Sequence, residues 1–119
     1  PVIAIVPYST FEEAVTMAKA NLLVEGAGHS AALHSNNDEN IQKAGVELPI
    51  SRLVVNQPSS TSAGGSLTNG FAPTTTLGCG SWGGNSISEN LDYKHLMNVS
   101  RIGKVIPDKK VPTDDEIWA

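Results

Sequence analysis

The sequence predicts an α/β domain built on a parallel βαβαβ unit, and three observations carry that expectation. Val2-Ile3-Ala4-Ile5-Val6 is an apolar run with no polar face, the pattern of a strand covered on both sides. An amphipathic helical stripe follows it. Strand and helix signals then alternate with short links, as they do in right-handed parallel units.

Element by element, Pro7 and Tyr8 turn the chain and Ser9 or Thr10 caps the first helix. Glu12 and Glu13 stand three residues on, so a capping box is open in either register. Phe11, Ala14, Val15, Ala18 and Leu22 form one apolar stripe, with Glu12, Glu13, Thr16 and Lys19 elsewhere. Gly26-Ala27-Gly28 ends this helix, and a second strand covers about Ser30 to His34. Asn36 caps a short helix with Glu39 three residues later, and Gly45 is its expected stop. Pro49 breaks the chain before a third strand, Arg52 to Val55. From Gln57 to Asn90 the sequence is rich in Gly, Ser, Thr and Asn, too long for an ordinary connection. Leu67, Phe71, Leu77 and Trp82 supply apolar anchors, so this reads as an ordered loop packed on something. Tyr93 to Met97 reads as a helical turn, Asn98 to Ile106 as a last strand, and Pro107 onward as a solvated tail. The divisions are thus 1–56, the end of an α/β domain; 57–90, the Gly/Ser-rich loop; 91–106, turn and strand; and 107–119, the tail.

The chain's 119 residues suffice for one domain. Its net charge is −4, with Lys and Arg scattered, which argues against nucleic acid or an anionic membrane as partner. No apolar run approaches the roughly 18 residues of a membrane span, and the N-terminus lacks a signal-peptide layout. A single cysteine excludes an intrachain disulfide and fits a reducing, cytoplasmic setting. Asn98-Val99-Ser100 matches the glycosylation sequon but carries no weight without a secretion signal. Pro1 stands where an initiator Met would, and the opening strand needs neighbours that the remaining sequence supplies poorly. The sequence therefore reads as a piece of a larger protein.

Gly78-Cys79-Gly80-Ser81-Trp82-Gly83 fits G-x-G-x-x-G, the dinucleotide fingerprint. Its context argues otherwise: Thr74 to Leu77 is a poor strand, and no acidic residue lies about twenty positions on to hold a ribose hydroxyl. A tight loop whose glycines admit close backbone approach is the better reading. Cys79, between two glycines, is a candidate thiol, but a nucleophile needs a base or cation beside it. His29, just after the Gly26–Gly28 corner, is the better placed chemical group; a histidine that merely shapes the turn is the competing reading. His34 reads as a packed or solvated strand residue, and His95 as exposed. No spacing suits a metal site.

Several blocks carry a specific likeness: Val55-Asn56-Gln57-Pro58, Gly70, Leu77 through Asn90 with its Cys79-Gly80-Ser81-Trp82-Gly83-Gly84-Asn85 core, and Tyr93 through Val99. Together they closely resemble the C-terminal part of the coenzyme-A-acylating aldehyde dehydrogenases. That family includes acetaldehyde, propionaldehyde, succinate-semialdehyde and sulfoacetaldehyde enzymes and the aldehyde half of bifunctional alcohol dehydrogenases. Gly28-His29-Ser30 resembles its Gly-His-Thr/Ser corner. The likeness spans nearly the whole chain but only about the last quarter of such an enzyme. It implies interconversion of an aldehyde and its acyl-coenzyme A, with NAD or NADP as hydride carrier and a cysteine nucleophile that lies upstream and is not Cys79. It implies that Gly78, Cys79, Gly80, Ser81, Trp82 and Gly83 line the substrate or cofactor site, with His29 as an assisting base. It also implies a last strand that joins an intersubunit sheet in a homo-oligomer, and a cytoplasmic or microcompartment location. Two readings stand against it: a non-catalytic assembly module lending a strand and loop to a partner, and a free-standing nucleotide-binding domain.

Overall fold

The computed structural model describes residues 2–119. Helix α1 (Phe11–Val24) leads to strand β1 (Gly28–Leu33), helix α2 (Asp38–Glu47) and strand β2 (Ile50–Val55). The two strands pair in parallel, with Gly28 opposite Ile50, Ser30 opposite Arg52 and Leu33 opposite Val55. The α/β class and the parallel pairing agree with expectation.

Local chemistry explains the boundaries. Thr10 is the N-cap of α1 and accepts from the Glu13 N–H at 3.2 Å, while Glu13 reaches back to the Ser9 N–H at 2.8 Å. Of the two possible capping registers, the later one forms. The cap of α2 is Asn37, not Asn36; its Oδ1 takes the N–H groups of Glu39 and Asn40. Gly45 does not stop that helix, which runs on to Glu47 until Pro49 ends helical geometry nearby. A glycine one turn from the end costs less than the hydrogen bonds that continuation keeps.

Val15, Ala44, Leu48 and Ile50 form the buried core, with Phe11, Ala18, Leu22, Ala31, Leu33 and Leu53 against it. The predicted stripe of α1 is the face that packs. Each such branched side chain, once buried, contributes about 1.5–3 kcal/mol. Lys43 of α2 bridges to Glu12 of α1 at 2.9 Å, and this bond holds the Glu12 carboxyl below its ordinary range.

Three expectations meet a different structure. Val2–Val6 is not a strand among the described residues: the segment is extended and exposed, Ile3 by 87%, because no strand lies beside it. The βαβαβ unit is therefore α-β-α-β here, and its sheet has two strands. Residues 98–106 are likewise extended and exposed and form no ladder within the chain. Residues 107–119 are exposed, and within them helix α4 (Asp114–Trp118) forms on a Thr113–Glu116 capping box. The radius of gyration is 20.1 Å, against about 13.5 Å for a compact domain of this length. So much exposed apolar surface marks faces built to be covered.

Candidate functional site

The 57–90 segment leaves β2 at Asn56, where a left-handed backbone (φ 54°) lets the side chain lace two strand ends together. Asn56 Oδ1 accepts from the Ser35 N–H at 2.9 Å and its Nδ2 donates to the Ser35 carbonyl at 3.0 Å. A short helix α3 (Ser59–Ser62) follows, and then the chain turns back. Leu77 and Asn90 form an antiparallel bridge, and the N–H groups of Gly78 and Gly80 donate to the carbonyls of Glu89 and Ile87 at 3.1 and 2.7 Å. The segment is an ordered hairpin-like loop, closed by a 3-10 turn at Ser81–Gly83. Asn85 staples that turn. Its Oδ1 accepts from the Cys79 N–H at 2.9 Å, and its own N–H donates to the Gly80 carbonyl at 2.8 Å. Of the four expected anchors, Phe71 and Leu77 are half-buried; Leu67 and Trp82 are exposed, Trp82 by 57%.

The loop ends against the start of β1. A Cβ at Gly28 would stand 2.0 Å from the Cys79 carbonyl oxygen, so only glycine admits this approach, at φ +81°. The Gly-rich turn and His29 thus share one corner. That corner lies at the amino end of β1, not at the carboxyl ends of the strands where parallel sheets usually gather function. The loop leaves the expected end and returns to the other.

His29 is exposed. Its Nδ1 pairs with the Ser30 hydroxyl at 2.8 Å, and Ser30 Oγ lies 3.5 Å from Ser59 Oγ. The Ser30 hydroxyl can accept from Nδ1–H, which leaves the Nε2 lone pair open, or donate to Nδ1 in the other tautomer. His29, Ser30, Ser59, Ser60, Thr74 and Thr75 line an open cleft of about 350 Å³.

Cys79 is half-buried, and its Sγ makes no hydrogen bond among the described residues, so the structure gives it no base. Gly78 and Gly80 are buried under the loop's own strands, while Ser81, Trp82 and Gly83 are exposed on its outer turn. His34 lies just beyond β1 and is exposed. His95 departs from expectation: its side chain is only 12% exposed. Nδ1 accepts from the Asp92 N–H at 2.8 Å and Nε2–H donates to Glu89 Oε1 at 2.9 Å, an arrangement that caps the Tyr93–Leu96 turn. Lys94, bonded to the other oxygen at 2.8 Å, and His95 together hold the Glu89 carboxyl below its usual range.

Sequence reasoning missed Ser30 as the ring partner of His29, Asn85 as the staple, and Arg52 and Asn90 beneath the loop. Arg52 had a signal: a lone charge inside the apolar run Ile50-Ser51-Arg52-Leu53-Val54-Val55.

No protein-family model matches the chain. Curated relatives do. The chain is 67% identical over 118 residues to a succinate-semialdehyde dehydrogenase (acetylating) of Clostridium kluyveri, covering 99% of itself and 26% of that protein. The chain matches the C-terminal part of CoA-acylating aldehyde dehydrogenases. A sulfoacetaldehyde dehydrogenase of an Acholeplasma species is 40% identical over 118 residues, again 99% of the chain and 24% of the relative. The crystal structure of an acetylating aldehyde dehydrogenase from Geobacillus thermoglucosidasius superposes with a TM-score of 0.75 at 32% identity, covering 87% of the chain and 22% of that structure. The chain therefore spans about a quarter of the length of the dehydrogenases it matches. No described helix of this dehydrogenase segment is long and apolar enough to cross a membrane.

Proposed function

We propose that this chain is one wall of the active site of an enzyme that interconverts an aldehyde and its acyl-coenzyme A. The observation that carries the proposal is the junction of the Gly78–Gly84 turn with the Gly28-His29-Ser30 corner, beside a hydroxyl-lined cleft. His29 Nε2 accepts the thiol proton of coenzyme A as its sulfur attacks the acyl thioester, breaking the bond to the enzyme's cysteine, which leaves as thiolate. In this reading Nδ1–H donates to the Ser30 hydroxyl, the tautomer that leaves Nε2 to accept. In this reading the exposed turn Ser81–Gly83, which borders a neighbouring cleft with Gly80 and Asn85, presents backbone groups to the substrate or cofactor, with Gly78 and Cys79 behind it.

Hydride transfer belongs to NAD or NADP, the carrier for this chemistry. Among the described residues, the Gly78–Gly83 motif lacks the setting of a dinucleotide fingerprint. Gly78–Gly83 follows a single-residue bridge rather than a strand and opens a three-residue turn, so no helix N-terminus faces a pyrophosphate. This weighs against a free-standing nucleotide-binding domain. The nucleotide and the nucleophilic cysteine fall to parts of the enzyme outside this chain.

A structural role accompanies the catalytic one. The exposed apolar segments 2–6 and 98–106 are extended and unpaired, which favours strand addition: the first to the rest of the catalytic sheet, the second to another subunit in a homo-oligomer. We place the enzyme in the cytoplasm, free or within a microcompartment, with a small aldehyde as substrate. The four divisions 1–56, 57–90, 91–106 and 107–119 follow these roles.

The test is direct. Full-length enzyme mixed with succinate semialdehyde, coenzyme A and either NAD or NADP is expected to form reduced nucleotide and acyl-coenzyme A in equal amounts. Reduced nucleotide with free acid and no acyl-coenzyme A overturns the reading.

A further inference from the structure

Arg52 is a charged residue at the centre of the small fold, 3% exposed. It stands on β2 opposite Ser30, next along the chain from His29. Its Nη1 donates to the Gly78 carbonyl at 3.1 Å and to Asn90 Oδ1 at 3.3 Å. Asn90, itself buried, donates from Nδ2 to the carbonyls of Ala72 at 2.6 Å and Ala63 at 3.3 Å. One guanidinium and one amide thus join β2, the end of α3, the outgoing limb and the returning limb of the loop. Among the described residues, Nε and Nη2 of Arg52 are covered and have no partner, and no carboxylate lies within ion-pair distance of the guanidinium.

Such an arrangement is poor value for stability. A buried charge without a counter-charge loses hydration that two hydrogen bonds do not restore, and well-packed apolar replacements are often neutral or stabilising. What the arrangement does supply is position. Nη1 fixes Gly78, the residue before Cys79, and Cys79 is in turn seated on Gly28. We infer that Arg52, locked by Asn90, is a positioning residue that sets the Gly-rich turn against the His29 corner, at a cost in stability. The inference deepens the proposed reaction and rests on it for its kinetic consequence alone.

The test uses the full-length enzyme with Arg52→Met, which keeps length and removes charge and donors, and Arg52→Lys, which keeps charge but not the planar fork. Arg52→Met is expected to leave the thermal midpoint at or above that of the wild type. Hydrogen exchange at the Gly78, Gly80 and Asn85 amides is expected to rise at least ten-fold, with the amides of α1 unchanged. The kcat for acyl transfer is expected to fall about 30-fold, as misplacement of a site by an ångström can cost 100-fold, with KM for coenzyme A moving less than three-fold. Arg52→Lys falls between. Three results would overturn the inference: wild-type exchange in the loop, faster exchange with unchanged kcat, or a midpoint that collapses in step with activity in both variants. If the wild-type enzyme itself forms no acyl-coenzyme A, the proposed reaction fails; the loop's exchange rates and the thermal midpoint then decide the clasp by themselves.

Discussion

Replacing His29 by alanine in the full-length enzyme lowers acyl transfer to coenzyme A about 100-fold and leaves hydride transfer within about three-fold. The magnitude is that of a lost general base, typically 10²–10⁴. The split follows from placement. The His29 ring bonds to Ser30 and opens onto the hydroxyl-lined cleft, on the side of the proposed acyl transfer rather than of hydride transfer. The burst of reduced nucleotide in a single turnover reports hydride transfer, and acyl-coenzyme A trapped in the same mixture reports the second step. Glutamine at position 29 keeps a polar partner for Ser30 but cannot take a proton, so His29→Gln shows the same loss. Free imidazole added to His29→Ala restores part of the acyl-transfer rate by entering the vacated cleft. Equal loss of both steps makes His29 a structural residue of the corner and removes it from the chemistry.

What was legible beforehand divides by the range of the interactions involved. The helices and strands of residues 9–55 followed from periodicity, caps and breakers, because those signals act within a few residues: the stripe from Phe11 to Leu22 buries the face it predicts. The small errors are cap choices between neighbours, Asn36 against Asn37, decided by which carboxamide meets the free N–H groups. Val2–Val6 had the right composition for a strand, but a strand is made by its neighbour, and none stands beside it. His95 looked exposed because its nearest residues are polar; they bury it by bonding both ring nitrogens. The site divides the same way. The glycine pattern announced a close approach but not its destination, since the contact between Cys79 and Gly28 spans some fifty residues of chain. Arg52 and Asn90 are 38 residues apart, and only the fold makes them a pair.

Gly28→Ala is the most damaging small substitution expected in this segment. Two separate costs fall on the same atom. The backbone at φ +81° is a left-handed conformation that an L-residue holds at roughly 1–2 kcal/mol, and the added Cβ would sit 2.0 Å from the Cys79 carbonyl oxygen. Carbon and oxygen cannot share that distance, so either β1 or the Gly-rich turn must withdraw. β1 is held by its ladder to β2 and by the Gly28 N–H donating to the Pro49 carbonyl at 2.7 Å. The turn is the freer partner, because its outer residues are exposed. Overpacking of this kind adds about 1–3 kcal/mol, so the total of about 2–5 kcal/mol consumes much of a typical folding stability. Gly84→Ala separates the two costs: its φ is +69°, yet nothing lies within 4 Å of the new Cβ. That variant is expected to lose only the backbone share and to keep its acyl-transfer rate within a few-fold. In Gly28→Ala the thermal midpoint falls several degrees further than in Gly84→Ala, and acyl transfer falls at least 100-fold as the turn leaves the His29 corner. Matching midpoints and rates for the two variants would mean that the Cys79 carbonyl does not rest on Gly28, and the site would lose the contact that assembles it.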